Sequence, residues 1–226
     1  MQTPETPPFV SGRQVLADGV HEALLAMLVD GTLPPGSPMR TETLAKELQV
    51  SATPVREALA RLESTGMVRR VARRGYRVAE LPTREELAQL IELRLVLEPV
   101  NAERACAQND PALIEALAGT VEAQQQAPTG PHYENFRDFL QADWAFHSLI
   151  AAHTGNPFLE QAFNSCNGYM QRYRMFNDHV ISDAHESRAE HARILDAFRS
   201  STPAAAATAM REHLEKLLAR VRQQSA

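Results

Sequence analysis

The sequence predicts a mainly α-helical protein of two domains: an N-terminal helix-turn-helix with a small β-hairpin, followed by an all-α antiparallel bundle. Three observations support this fold class. Apolar residues recur at spacings of three and four between residues 44 and 62, which is the helical period. Residues 67–78 instead carry β-branched and aromatic residues around a turn, a pattern typical of a hairpin. From residue 83 onward helix-start signals repeat with no convincing strand between them.

Apolar spacing and boundary residues predict the two short helices. Each has one apolar stripe that can pack on the other. The stripes consist of Leu44, Leu48, Val55, Leu59 and Leu62. Ser51 or Thr53 can accept hydrogen bonds from the first N–H groups of the second helix, and Pro54 suits its first turn because proline has no N–H. Gly66 supplies the left-handed residue that ends this helix.

The hairpin that follows is strongly basic. Five arginines and no acidic residue lie between residues 69 and 79, and Arg73, Arg74 and Gly75 form the turn. A hairpin next to a helix-turn-helix is typical of a wing, and this charge favours contact with a DNA duplex. A solvated charged hairpin is the alternative, but the adjacent helix pair favours DNA. We expect Arg56 on the second helix to support specific binding, and Arg73 and Arg74 to contact the phosphate backbone.

Composition and charge fit a small cytoplasmic protein. The chain has 226 residues, 44% of them hydrophobic, which is enough for two modest cores. The net charge is −5, but residues 1–82 hold 10 Lys+Arg against 9 Asp+Glu, whereas residues 83–226 hold 13 against 19. Cys106 and Cys166 do not indicate a disulfide framework, which favours a reducing compartment. No signal sequence and no apolar run of ~20 residues is present, so no membrane partner is expected. Residues 1–12 are predicted to be a mobile, disordered arm.

The domain boundary is predicted between a winged domain at 13–80 and a helical domain at 83–226. Thr83 and Glu86 form a capping box, in which hydroxyl and carboxylate each bond the other residue's backbone N–H, so a long helix starts there. Pro99 lies inside that helix and is expected to kink it. Further helix starts are predicted at Asp110-Pro111, after Pro131, at Asn156-Pro157, before Ser187 and at Thr202-Pro203.

Four ligand-type side chains of the helical domain are predicted to face the bundle interior. Asp143 and His147 are four positions apart and share one helix face, while His191 and His213 each lie in the apolar stripe of a later helix. Four ionisable groups turned inward are costly to bury unless a charge such as a divalent cation compensates them. For any single histidine, a hydrogen-bonded core role is the commoner explanation. The other five histidines are assigned to that class: His21, His132, His153, His179 and His185.

The winged domain resembles the N-terminal domain of the GntR family of bacterial transcription regulators. The resemblance rests on Leu33-Pro34-Pro35-Gly36, on Val-Ser-x-Thr-Pro-Val-Arg-Glu-Ala-Leu over residues 50–59, and on Arg-Leu-Glu-x-x-Gly over residues 61–66. It implies that four residues lie against the operator: Ser51, Thr53, Arg56 and Gly75.

Two positions depart from the GntR pattern. Glu42 stands where that family commonly has an arginine, and Ala52 stands where an arginine often reads a base. Alanine can touch a thymine methyl but cannot form two hydrogen bonds to guanine. We therefore expect a half-site that differs from the common one.

The helical domain resembles the ligand-binding FCD domain of the FadR subfamily of GntR regulators. The matching features are Arg94-x-x-x-Glu98, Asp143-x-x-x-His147, Gly155-Asn156, Glu190-His191 and His213. Metal-binding members of that subfamily use an aspartate and three histidines in this order. The resemblance therefore implies one divalent ion held by Asp143, His147, His191 and His213. Zinc suits this set, and nickel, manganese and iron are alternatives.

A small carboxylate effector is the natural occupant of an open position on such a metal. Arg94 is the residue expected opposite the metal, where its guanidinium can take a second carboxylate or a hydroxyl. A salt bridge from Arg94 to Glu98 or Glu92 is an equal alternative. Arg172 and Arg174 are weaker candidates.

Two other roles for the metal remain open from the sequence. A metallohydrolase would use it to activate water. No carboxylate is spaced as an obvious general base, and Glu190, adjacent to His191, is expected to point away from the site, so no enzyme is predicted. A purely structural metal predicts that the helical domain unfolds when the ion is removed.

The sequence also predicts a symmetric assembly. One winged domain covers only a half-site and makes few base contacts, so two copies are expected on a palindromic operator. The helical domain has more apolar surface than a small bundle can bury, which favours it as the homodimer interface. By resemblance, we expect a repressor that responds to a small organic acid.

Overall fold

The computed structural model describes residues 12–29, 31–80, 82–128, 133–176 and 180–223. The chain divides into two compact units, residues 1–80 and residues 81–226. The arm predicted for residues 1–12 lies outside the described residues except for Gly12, where the first helix begins.

The N-terminal unit is a helix-turn-helix with a three-stranded wing sheet. Helices α1 and α2 both pack on α3, and the antiparallel sheet has the strand order β1-β3-β2. Its elements are α1 (Gly12–Val29), β1 (Pro38–Met39), α2 (Thr41–Glu47), α3 (Ala52–Ser64), β2 (Val68–Val71) and β3 (Gly75–Val78). In the register of the sheet, Arg77 of β3 lies between Pro38 of β1 and Arg69 of β2.

The predicted apolar stripes form the core of this unit. Val55, Leu59 and Leu62 are fully buried on one face of α3, as their spacing requires. Ser51 occupies the N-cap with extended backbone, but its side chain makes no capping hydrogen bond, so the cap predicted for Ser51 is not formed. Gly66 has φ of 72°, the left-handed conformation that ends the helix.

The C-terminal unit consists of helices throughout its described part. These are α4 (Arg84–Ala107), α5 (Pro111–Gln126), α6 (Tyr133–Ala152), α7 (Pro157–Phe176), α8 (Val180–Arg199) and α9 (Pro203–Gln223). Helix α4 packs against α6, α7 and α9, and α8 packs against α5 and α9. The central side chains include Ile91, Leu117, Phe146, Phe198 and Leu214. The predicted mainly α fold class is confirmed.

The helix boundaries of this unit follow local signals with one exception. Thr83 and Glu86 form the predicted capping box, with Thr83 N donating to Glu86 Oε2 over 2.7 Å and Glu86 N donating to Thr83 Oγ1 over 3.2 Å. Helix α4 continues through Pro99 to Ala107. Helix α8 begins at Val180 rather than just before Ser187, because no proline or glycine lies between residues 180 and 186 to prevent an earlier start. None of the described helices combines the length and apolar character needed to cross a bilayer.

Candidate metal centre and nucleic-acid interface

The first turns of α3 and the tip of the wing carry the residues predicted to contact DNA. Ser51, Thr53 and Arg56 are exposed at the start of α3. Arg73 and Arg74 are exposed at the wing turn. These positions leave their donor groups open to a partner.

The turn itself depends on backbone conformation at two residues. Gly75 has φ of 80° and Arg73 has φ of 62°, both in the left-handed region that favours glycine. A Cβ at Gly75 would meet only Met39 O, at 3.8 Å. The glycine is therefore favoured by its backbone angle rather than by lack of space.

A basic groove in the N-terminal unit runs beside the wing turn. Its volume is about 640 Å³. It is lined by Pro38, Arg40, Thr41, Glu42, Arg73, Arg74, Gly75 and Arg77. Four guanidinium groups thus share one groove with a single carboxylate, and Arg77 Nη1 also donates to Gly36 O over 2.7 Å. Such a concentration of positive charge favours a polyanion.

Sequence reasoning missed Arg40, and it counted Arg77 among the five wing arginines without placing it in this groove. Arg40 directly precedes α2, and Arg77 is set beside β1 by the sheet register. The pairing of β1 with β3 brings residues 38–42 to the wing, and β1 is too short to be recognised from periodicity.

Three histidines from three helices meet in the interior of the C-terminal unit. His147 of α6, His191 of α8 and His213 of α9 each offer a ligand atom, and these atoms all lie within 4.8 Å of one another. The exposed fractions of the three residues are 3%, 0% and 1%. Asp143, 1% exposed, reaches the cluster through His191, with 3.9 Å between Asp143 Oδ1 and His191 Nε2. The group has the donor types that bind divalent transition metals.

Each histidine contacts a buried acceptor through Nδ1. His147 Nδ1 lies 2.6 Å from Glu98 Oε2, and His213 Nδ1 lies 2.7 Å from Glu190 Oε2. His191 Nδ1 lies 2.8 Å from Gln124 Oε1, and Phe146 stacks on its ring with centroids 4.5 Å apart. Donation from Nδ1 of a neutral ring leaves the lone pair on Nε2, the arrangement that a metal ligand needs. Burial lowers the pKa of His147 although Glu98 opposes the shift, so its ring is neutral.

Arg94 is buried and paired rather than open. Its Nε donates to Glu98 Oε1, so the salt bridge proposed as one alternative is present. Glu92 pairs instead with Arg222, over 2.8 Å. Arg94 Nη1 is also buried but has no hydrogen-bond partner within the described part of the chain. The Nε donor of Arg94 is therefore bonded to Glu98, and the Nη1 donor remains available.

Glu190 corrects one prediction. It was expected to point away from the site because it neighbours His191 on a helix. It is instead buried against α9. There Glu190 Oε2 contacts His213 Nδ1, and Glu190 Oε1 accepts a hydrogen bond from Arg220 Nη1 over 3.1 Å. Helix α9 packs so that His213 meets both adjacent residues of α8: its Nδ1 contacts Glu190, and its ring centroid lies 4.7 Å from that of His191.

The remaining histidines are a mixed group. His153 Nδ1 lies 2.8 Å from Leu149 O, in keeping with a hydrogen-bonded structural role, and His21 is half-buried. His185 is exposed, so its assignment to the core is wrong. His132 and His179 lie outside the described residues.

Both units match known protein families. Residues 89–216 match the FCD domain, and residues 16–78 match the bacterial regulatory proteins of the gntR family. The chain is 29% identical over 208 residues to the "Probable D-xylose utilization operon transcriptional repressor" of Paenarthrobacter nicotinovorans, which covers 91% of this chain and 88% of that protein. It is 28% identical over 170 residues to the gluconate operon transcriptional repressor of Bacillus subtilis (strain 168), covering 75% and 67% respectively.

A solved structure supports the fold. E. coli McbR/YncC superposes with a TM-score of 0.67 at 24% identity, over 92% of this chain and 98% of that one. The matched family consists of transcription regulators rather than enzymes. The prediction that this protein is not an enzyme is confirmed. The chain therefore belongs to the GntR family of bacterial transcription regulators, with the FadR-type architecture of a winged helix-turn-helix domain followed by an FCD ligand-sensing domain.

Proposed function

We propose that this protein is a cytoplasmic transcriptional repressor that binds a palindromic operator as a homodimer and senses a small organic acid at a metal site. DNA binding is assigned to residues 13–80, and sensing and dimerisation to residues 83–226. The observation that carries the proposal is the buried cluster of His147, His191 and His213, with ligand atoms within 4.8 Å of one another. Two relatives are named as repressors of sugar or gluconate operons, which supports repression.

Operator binding is assigned to two sets of residues: those of α3 that contact bases, and those that contact the DNA phosphate backbone. Ser51, Thr53 and Arg56 on the exposed start of α3 are assigned to the major groove. Contacts to the DNA phosphate backbone are assigned to the wing and to the residue before α2. These residues are Arg40, Arg73, Arg74, Gly75 and Arg77. Each arginine that neutralises a phosphate adds to the salt dependence of binding. Within the described part of the N-terminal unit, Glu42 is the one acid that lines that groove, and it is expected to restrict which duplexes approach closely.

The metal is assigned to Asp143, His147, His191 and His213. Zinc suits these donors, with nickel, manganese or iron as alternatives. Support comes from the Nδ1 contacts of the three histidines, which leave Nε2 for a metal where Nδ1 carries the proton, and from His147 Nε2, which is buried with no partner among the described residues. When bound, the ion supplies positive charge that attracts the carboxylate of an acid.

The ion pairs around the cluster also favour an anion once a metal is bound. Among the described residues, Arg94 pairs with Glu98 and Arg220 pairs with Glu190, while Asp143 lies beside His191. A divalent cation would add two positive charges to these groups, and the carboxylate of an acid offsets part of that charge. Buried Arg94 Nη1 is the donor assigned to that carboxylate. Since one relative is named for a gluconate operon, sugar acids are the first compounds to test.

The dimer interface is assigned to the outer face of α4. Leu93, Val96 and Val100 are exposed by 47%, 69% and 42% and lie three and four positions apart, so they form one apolar stripe. A stripe on one helix can pair with its own copy across a two-fold axis. Arg94 and Glu98 lie on the buried face of the same helix. Acid binding can therefore change how α4 meets its copy, provided that the acid favours one arrangement over the other.

A thermal-shift screen with a DNA readout tests the proposal. Zinc-loaded protein is mixed with a panel of organic acids including D-gluconate, and hits are tested for release of a duplex selected from a random-sequence pool. We expect at least one acid to raise the melting temperature of the wild type and to release the duplex, and to do neither in His213→Ala. Loss of helical circular dichroism on zinc removal, with no response to any acid, would favour a purely structural metal instead.

A further inference from the structure

Asn101 is a buried amide with unsatisfied hydrogen-bonding capacity. It lies on α4 and is 1% exposed. Neither its Nδ2 donor nor its Oδ1 acceptor has a hydrogen-bond partner within the described part of the chain. Burying both groups without partners is costly, and native proteins seldom leave both ends of one amide unpaired. The Asn101 amide therefore has a donor and an acceptor that a bound molecule could satisfy.

The position of Asn101 on α4 connects it to the candidate sensing site. Arg94, Glu98 and Asn101 are spaced by four and three residues, so they share one face of the helix. Arg94 reaches forward along the helix to bond Glu98, and Glu98 Oε2 lies 2.6 Å from His147 Nδ1. Asn101 is the next residue along this face. Arg94 Nη1, like the Asn101 amide, is buried with no partner among the described residues.

We infer that Asn101 binds a hydroxyl group of the effector while Arg94 Nη1 binds its carboxylate, so that the effector is a hydroxy acid. The inference rests on the acid-sensing site proposed above and adds its specificity. A hydroxyl donates one hydrogen bond and accepts others, so it satisfies Oδ1 and Nδ2 of Asn101 together. A carboxylate or ketone oxygen only accepts and leaves Oδ1 unpaired. An ammonium only donates and leaves Nδ2 unpaired.

The same reasoning sets the size of the effect. A site that is built to hydrogen-bond a ligand hydroxyl rejects the analogue that lacks it, because the buried protein groups are then left unpaired. We therefore expect the hydroxy acid to bind at least roughly tenfold more tightly than its deoxy analogue.

Matched pairs of acids test the inference. Zinc-loaded full-length protein is titrated by calorimetry with glycolate and acetate, lactate and propionate, and D-gluconate and hexanoate. In at least one pair the hydroxy acid should bind more tightly by the stated factor. Asn101→Leu should lose this preference while its affinity for the deoxy acid stays within about twofold. Equal binding within every pair, or a preference that persists in Asn101→Leu, would overturn the inference and leave the acid site standing. Failure of all acids to bind would reject the acid site and the inference together.

The zinc-free protein supplies a second readout. Replacing an unbonded buried amide by an apolar side chain of similar size is neutral or stabilising, so Asn101→Leu should keep or raise the melting temperature. Thr154→Val is the matched control, because Thr154 is fully buried and its Oγ1 donates to Ala151 O over 3.0 Å. That variant should melt at a lower temperature and keep the hydroxyl preference. A lower melting temperature for Asn101→Leu would show that Asn101 is bonded within the fold, which contradicts the inference.

Discussion

Glu98 and His147 are joined in the core by a contact of 2.6 Å between Glu98 Oε2 and His147 Nδ1. The other oxygen of Glu98 accepts from Arg94. Burial by itself would raise the pKa of Glu98, but Arg94 and His147 together hold it well below its usual value. The carboxylate is therefore ionised inside the bundle. It connects Arg94, the proposed effector-binding residue, to His147, a proposed metal ligand.

Glu98→Gln should destabilise the helical unit strongly. The substitution leaves the buried Arg94 charge uncompensated, and breaking one side of a buried pair costs about 3–5 kcal/mol. Urea unfolding followed by circular dichroism measures the loss. The matched control is Glu92→Gln, which breaks the exposed pair with Arg222 and should cost no more than about 1 kcal/mol. Equal small losses for both variants would contradict the assignment of a buried ion pair.

Gln124→Leu should weaken metal binding without preventing folding. Gln124 is fully buried and its Oε1 lies 2.8 Å from His191 Nδ1, so it fixes the ring orientation and tautomer. Removing such a partner lowers metal affinity by about 10–100-fold. Competition with a zinc-binding dye measures the dissociation constant. Gln126→Leu is the control on the same helix, because Gln126 is exposed and bonds only Glu122 among the described residues. Unchanged affinity in Gln124→Leu would reject this role.

Substitutions in the winged domain should separate base reading from backbone contact. Arg56→Ala should cost about 1–3 kcal/mol on a selected duplex and relax sequence preference. Arg40→Ala, Arg73→Ala and Arg74→Ala should weaken binding to all sequences and each lower the salt slope by about one. Fluorescence anisotropy at several salt concentrations gives both quantities. Arg61→Ala is the control, since Arg61 lies on the same helix as Arg56 but pairs with Asp18. Unchanged affinity and salt slope in the other four variants would contradict the assignment of DNA binding to this surface.

Val96→Glu should shift the protein from dimer to monomer. The substitution places a charge in the centre of the exposed α4 stripe, and burying an unpaired carboxylate against its symmetric copy is unfavourable. Light scattering measures the mass. Phe158→Glu is the control, because Phe158 is a large apolar residue of the same unit, 77% exposed but outside the stripe. A dimer of unchanged stability in Val96→Glu would place the interface elsewhere.

The inward direction of the metal-ligand candidates could be read from the sequence. His191 precedes Ile194, Leu195 and Phe198 at helical spacing, and all three are buried beside it. The period of the helix alone fixes which face is buried. His213 follows the same rule between Met210 and Leu214, which are also buried.

The partners of these histidines could not be read in this way. Gln124 and His191 are 67 positions apart, and their meeting depends on how α5 packs against α8. The same limitation produced the wrong expectation for Glu190, whose direction is decided by α9. For Arg94 the sequence offered two equal roles, and the structure shows a guanidinium that bonds Glu98 and keeps one donor unbonded among the described residues.

The central claim is that Asp143, His147, His191 and His213 together hold a divalent metal. Elemental analysis of protein purified without a chelator or an affinity tag tests it most directly. The account predicts about one metal ion per chain in the wild type, and almost none in a His191→Ala, His213→Ala double variant that retains helical circular dichroism and DNA binding. It is contradicted if the wild type contains no metal and if added zinc, nickel or manganese leaves its melting temperature unchanged.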